Sequence, residues 1–446
     1  MTAPIDDYLP QNGNRGYRVS RYELDLGYRV SSNRLSGKAT ITAVTTAVQP
    51  RYALDLAQSL SVSKVLVNGA KPGKYTHARG KLTVTPARPI PAGGVLSIVV
   101  HYGGSPKPVR GQWGEVGWEE LTDGALVASQ PNGAASWFPC DDHPSSKASY
   151  RISITTDSPY HAVANGGLIT RTTKASQTTW VYEQAEPMAS YLATVQIGPY
   201  RAHRIDDKRG GVKVPMTAVL PPRLRRRFDH DFGRQPQMMA EFERCFGPYP
   251  FPGYTVVVTD DELEIPIEAQ GLSIFGANHC DGQRGAERLI AHELAHQWFG
   301  NSLTVRQWRD IWLHEGFACY AEWIWSQAAG GPTADQQARA ARANLARSPQ
   351  DIVVGDPGAA SMFDDRVYKR GALTLHALRL RLGEESFFAM LRDWTARHRH
   401  GTVTAEDFAD HAGHYSNGPL RDLWDGWLYR AALPDLPQHG LGAVGT

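Results

Sequence analysis

Residues 286–301, AERLIAHELAHQWFGN, place two demands on one segment. Leu289, Ile290, Leu294, Trp298 and Phe299 recur at the intervals of an amphipathic helix. His292, Glu293 and His296 lie in the middle of that pattern. Residues four apart on a helix differ by only about 40° around its axis, so both imidazoles can point at one ion. Glu293 projects to a neighbouring position, beside a metal-bound water rather than on the metal. The stretch therefore predicts a helix carrying HExxH, with buried, hydrogen-bonded histidines as the competing account if it stood alone.

It does not stand alone. WLHEGFACYAEW (312–323) also reads as helical and carries Glu315, far enough beyond His296 for one turn and a return helix. A catalytic zinc site uses three protein ligands and keeps a fourth position open, and His–His–Glu is one of its standard sets. Calcium and magnesium fit poorly, because both favour oxygen ligands. One zinc per chain on His292, His296 and Glu315 is the expectation. Glu322 lies seven residues after Glu315 on the same helical face. It either orients a ligand imidazole or forms a surface salt bridge.

The chain has 446 residues, which predicts two or three domains, and its formal net charge is only +2. That balance gives no case for nucleic-acid or membrane partners; RLRRRF (223–228) reads as a solvated helix face. No basic and apolar leader opens the chain, and no apolar run nears the roughly 20 residues of a membrane span. Cys140, Cys245, Cys280 and Cys319 lie far apart without a CxxC pair, so reduced thiols and a cytoplasmic location are expected.

Before about residue 200, β-branched runs such as RVSRYELDLGYRV and GVLSIVVHYG alternate with Gly, Pro, Ser and Asn turns. After about residue 220 the segments 222–246, 286–301, 308–330, 368–382, 384–398 and 420–433 read as helices, with a strand-like YTVVVT among them. The predicted class is α+β: a β domain over 1–203, a mainly α catalytic-looking domain over 204–432, and a frayed tail over 433–446.

At this point the sequence resembles the aminopeptidase N family of zinc metallopeptidases, which includes leukotriene A hydrolase. Beyond HELAHQWFGN and WLHEGFACYAEW, IPIEAQGLSIFG resembles the family's GAMENxGL segment, with Glu268 at its glutamate. VYKRGALTLHALR resembles the tyrosine segment and puts Tyr368 at the catalytic tyrosine. SQPNGAASWFPCDDHPSSKASY and MASYLATVQIGPY are similar to motifs of the family's β domain. The resemblance runs from about residue 20 to about 430. It implies a saddle-like β-sandwich domain and a thermolysin-like catalytic domain, a peptide substrate, and hydrolysis by a metal-activated water with Glu293 as general base. It implies nothing about oligomeric state.

Three departures accompany it. Pro266, Ile267 and Ala269 surround Glu268. The family's second acidic anchor, two residues after the glutamine that is Gln130 here, is Asn132. The chain also stops where the catalytic domain stops, so the helical roof of larger relatives is expected to be absent. The resemblance makes Glu268 the partner of a substrate's N-terminal ammonium, with Gln130 and Asn132 beside it; by itself Glu268 is one acid of an acidic loop. The expectation is an aminopeptidase able to cut internally. The alternatives are a dedicated leader-peptide peptidase for a ribosomal natural product, or a non-catalytic peptide-binding platform.

Overall fold

The computed structural model describes residues 5–206 and 211–437. Contacts gather the chain into two units, one of Met1–Ile205, Val214–Phe228 and Phe251–Asp281, the other of Asp206–Lys213, Asp229–Pro250 and Gly282–Thr446. The class is α+β, as the alternation of strand-like and helical patterns predicts.

The first unit is built on strands. Its largest sheet has seven, ordered 167–174, 177–189, 147–157, 17–29, 34–45, 95–104 and 60–67. Neighbours are antiparallel except Tyr17–Arg29 and Lys147–Asp157, which run parallel. Lys147–Asp157 shows why these residues form a strand: every second side chain is buried and those between are half-buried. Tyr22 and Tyr150 stack across the parallel pair at 4.8 Å, and Phe138 meets Tyr22 edge-on at 5.5 Å. A five-stranded sheet (161–164, 195–198, 124–128, 114–121, 109–111) and a three-stranded one (52–55, 81–85, 74–78) complete the N-terminal part.

A second five-stranded sheet is ordered 201–204, 216–220, 254–258, 272–275 and 267–269, with its three central strands parallel. Composition places a boundary at 203/204, yet this sheet carries residues 214–228 and 251–281 into the β-rich unit. The physical reason is its apolar face. Val219, Val257, Leu272 and Ile274 form one buried cluster with Val163 and Tyr200.

The second unit is mainly helical. Its helices include Gln235–Phe246, Glu287–Ala295, Trp312–Ala328, Ala334–Leu345, Asp365–Leu382, Glu384–Arg397, Ala405–Gly413 and Arg421–Trp427. The segment 222–246 is not one helix: Arg225–Asp231 and Gln235–Phe246 are separated, and Pro236 sits in the first turn of the second, where a missing N–H costs nothing. The helix expected over 420–433 stops at Trp427. There the buried Arg370 guanidinium collects the carbonyls of Gly426, Trp427, Arg430, Ala431 and Ala432, which would otherwise point along a helix. Of the tail expected at 433–446, Pro434 and Asp435 are held by Arg342, and 438–446 lie outside the described residues.

Candidate active site

The HExxH segment is helical over Glu287–Ala295, and His296 closes it with φ −56° and ψ −23°, still in helical geometry. The helix ends earlier than its apolar pattern suggests. Asn301, Ser302 and Leu303 turn their N–H groups back to the carbonyls of His296, Gln297 and Trp298. Gly300, at φ +123°, makes that reversal; a Cβ there would lie 3.3 Å from His296 Nδ1. Trp298 and Phe299 anchor the turn against Phe242 and Phe246, with Trp298 Nε1 donating to the Gly247 carbonyl at 3.0 Å.

Trp312–Ala328 supplies the third group. Nε2 of His292 and of His296 lie 3.5 and 3.4 Å from Glu315 Oε2, and all three residues are buried. One donor atom from each falls within 4.8 Å of the others. The outer nitrogens decide the tautomers. His296 Nδ1 lies 3.0 Å from the Phe299 carbonyl, which can only accept, so Nδ1 carries the proton and Nε2 a lone pair. His292 Nδ1 lies 2.8 Å from Glu322 Oε1, which fixes its ring in the same sense. Two imidazole lone pairs and one carboxylate on a buried concave surface fit zinc, with the carboxylate–histidine support such sites use.

Electrostatics follow from this packing. Burial disfavours the charged form of His292, but Glu315 and Glu322 outweigh it and push its pKa up to about 9. Burial alone would raise Glu315; the two imidazoles instead hold it well below the usual carboxylate range. Glu322 is lowered likewise, against its burial, by His292, Lys369 and Arg288.

A glycine pair brings the helix of Tyr368 to the helix of Glu315. A Cβ on Gly316 would lie 2.9 Å from the Gly371 backbone, and one on Gly371 would lie 2.9 Å from Gly316 Cα. The Tyr368 ring lies 6.2 Å from the His292 ring, 17° from parallel. Glu293, one residue beyond His292, is buried.

The other nominated residues belong to the β-rich unit. Glu268 sits on the short strand Ile267–Ala269 opposite Ser273, and Gln130 Nε2 donates to Glu268 Oε1 at 2.6 Å. Asn132 donates through its amide to Asn12 Oδ1 at 3.2 Å. Glu322 lies against His292 and also accepts from Arg288 Nη1 at 2.9 Å.

Several residues escaped the sequence reading. Arg288 and Lys369 carry signals only in hindsight, four residues before His292 and next to Tyr368. His314, adjacent to Glu315, is structural: its Nε2 accepts the Val305 N–H at 2.9 Å.

Fold and site together define a His–His–Glu metallopeptidase architecture, and comparison with known proteins assigns the family. Residues 231–427 match the peptidase family M1 domain and residues 19–192 the peptidase M1 N-terminal domain. The chain belongs to peptidase family M1. Glutamyl aminopeptidase of Bos taurus is 26% identical over 70% of this chain and 34% of its own length. Endoplasmic reticulum aminopeptidase 1 of Homo sapiens is 28% identical over 72% and 36%. The chain thus spans about a third of the length of these two curated relatives. Among solved structures, an M1 zinc metallopeptidase from Deinococcus radiodurans superposes with TM-score 0.90 at 28% identity, covering 99% of this chain and 100% of that one. Yeast LTA4 hydrolase shares the fold, with TM-score 0.80 at 20% identity over 95% of this chain and 69% of its own.

Proposed function

We propose that this chain is a zinc-dependent aminopeptidase, holding one zinc on His292, His296 and Glu315. The observation that carries the reading is the convergence of these three buried donors, with Glu322 and the Phe299 carbonyl fixing the imidazoles from behind. Zinc, when bound, acts as a Lewis acid that polarises the scissile carbonyl and makes water acidic enough to attack. Glu293 takes the attacking water's proton and passes it to the departing amine. Tyr368 donates its O–H to the carbonyl oxygen as that atom gains charge. Glu268, steadied by Gln130, meets the N-terminal ammonium.

Short peptides are the proposed substrates; the Deinococcus enzyme has been captured with a Tyr-Ser-Ala substrate. Asn132 brings no charge to the second anchor position, which supports a weaker demand for a free N-terminus and some internal cleavage. A reducing, cytoplasmic setting is proposed on the four buried cysteine thiols.

The test is hydrolysis of an aminoacyl arylamide by zinc-loaded protein and by Glu293→Gln. The variant should keep its zinc and lose roughly 10²–10⁴-fold in turnover. A fully active Glu293→Gln, or a zinc-loaded wild type without hydrolysis, overturns the reading. Acetylating a peptide's N-terminus should lower kcat/KM by about 10–100-fold without abolishing cleavage.

A further inference from the structure

A cavity of about 810 Å³ opens in the helical unit on the far side of Glu322. Its wall carries Arg234, Arg288, Arg366 and Lys369, together with Glu287, Glu322, Asp364 and Asp365. Most of these charges are spent on one another. Arg234 lies 2.9 Å from Glu287 and over the Trp325 ring, whose Nε1 also donates to Glu287. Arg366 is clasped by Asp364 on two sides and by Asp351. Neither cation is available to a ligand.

Arg288 and Lys369 differ. Arg288 uses Nη1 on Glu322, and its side chain is 58% exposed. The Lys369 ammonium, on a side chain only 26% exposed, meets the Cys319 thiol at 3.3 Å; Asp365, 78% exposed, stands off at 4.0 Å. A thiol is a weak acceptor, and an exposed ion pair at that distance contributes little. Arg288, Lys369 and Glu322 therefore leave one positive charge on the cavity wall without a close anion.

That wall begins at the metal site. Glu322 Oε1 touches both His292 Nδ1 and Arg288 Nη1. Arg288 precedes His292 by one helical turn, about 6 Å along the axis, and Lys369 follows Tyr368. An extended peptide advances about 3.3–3.6 Å per residue, so two residues beyond the cleaved bond reach this distance.

We propose that Lys369, with Arg288, binds a carboxylate on the departing side of the substrate, so that short peptides with a free C-terminus are preferred. The inference rests on the peptidase reading above and adds its substrate class. The carboxylate has two sources, the chain terminus or an acidic side chain two residues past the cleaved bond.

The test compares kcat/KM for a tripeptide, its C-terminal amide, and an amide carrying Asp at the third position, in the wild type, Lys369→Met and Lys369→Arg. The wild type should favour the free acid over the plain amide by about 10-fold or more. Lys369→Met should bring that ratio close to one, and Lys369→Arg should keep most of it. Recovery with the Asp-bearing amide identifies a side-chain carboxylate as an equally good ligand. An acid-to-amide ratio near one in the wild type, or one that Lys369→Met does not change, overturns the proposal. The same ratio read as binding affinity on Glu293→Gln protein, by calorimetry, tests the subsite even where hydrolysis fails. Failure of the arylamide assay instead counts against the peptidase reading.

Discussion

Two buried groups of acids, one in each unit, respond to burial in opposite ways. Around the metal site, Glu315 and Glu322 face His292, His296 and Arg288, and both are held below the ordinary carboxylate range despite their burial. In the β-rich unit Asp55, Asp141 and Asp142 gather around residues 13–14. Asp55 accepts from Gly13, Asn14 and the Asp142 N–H and pairs with Lys81. Asp141 accepts from the Asn14 N–H at 2.7 Å, and Asp142 from Ser190 Oγ at 2.7 Å. With one lysine for three acids, burial and mutual repulsion push Asp141 up to about 6 and Asp142 up to about 8. Counter-charge, not burial, decides whether a carboxylate stays ionised as a ligand or takes a proton as a structural acceptor. The Cys140–His143 stretch, quoted above for its resemblance, thus ties the N-terminal segment to the sheet.

The harshest test of this contrast removes an imidazole. His296→Ala should take the protein from about one zinc per chain to none, with hydrolysis falling to background. Metal analysis of purified protein checks it, and full occupancy in the variant would refute the ligand assignment. Glu322→Gln keeps an acceptor for His292 but not the charge. Zinc affinity should weaken by about 10–100-fold, read by competition with a chelator.

A third substitution probes the scaffold that lets the two acidic helices meet their partners. Gly371→Ala drives a methyl into the Gly316 backbone and should cost about 1–3 kcal/mol, seen as a lower denaturant midpoint with unchanged slope. No loss would mean that the helices part without penalty.

The smallest effect belongs to the β-rich cluster. Asp142 has a folded pKa raised to about 8 from an ordinary 3.8, so the folded chain binds more protons than the unfolded chain between those values. Its contribution is fully present below about pH 4 and is lost as pH rises through about 8. Wild-type stability should decline from pH 6 to 9, and Asp142→Asn should flatten that slope. Thermal midpoints across the range measure it; an identical slope in the variant would place the titration elsewhere.

Much of the helical unit was legible because its signals are local. The return helix of Glu315 announces itself by apolar spacing, and the tyrosine segment by pattern. Ala334–Leu345 and Ala405–Gly413 were missed although both open with capping boxes, Thr333 with Gln336 and Thr404 with Asp407. Their apolar residues are few, so periodicity alone does not reveal them. Glu322 illustrates the limit: its spacing allowed a surface ion pair or a ligand support, and the structure shows it contacting both Arg288 and His292.

By itself the sequence determined the metal donors, since HExxH and a glutamate on a following helix are statements about periodicity within single elements. Tertiary structure decided what those donors touch. The close approach at Gly316 and Gly371, the sheet that carries residues 254–275 into the β-rich unit, and the unsatisfied ammonium of Lys369 all depend on residues distant in the chain. Packing selects such neighbours by shape and charge, and no local repeat records that choice.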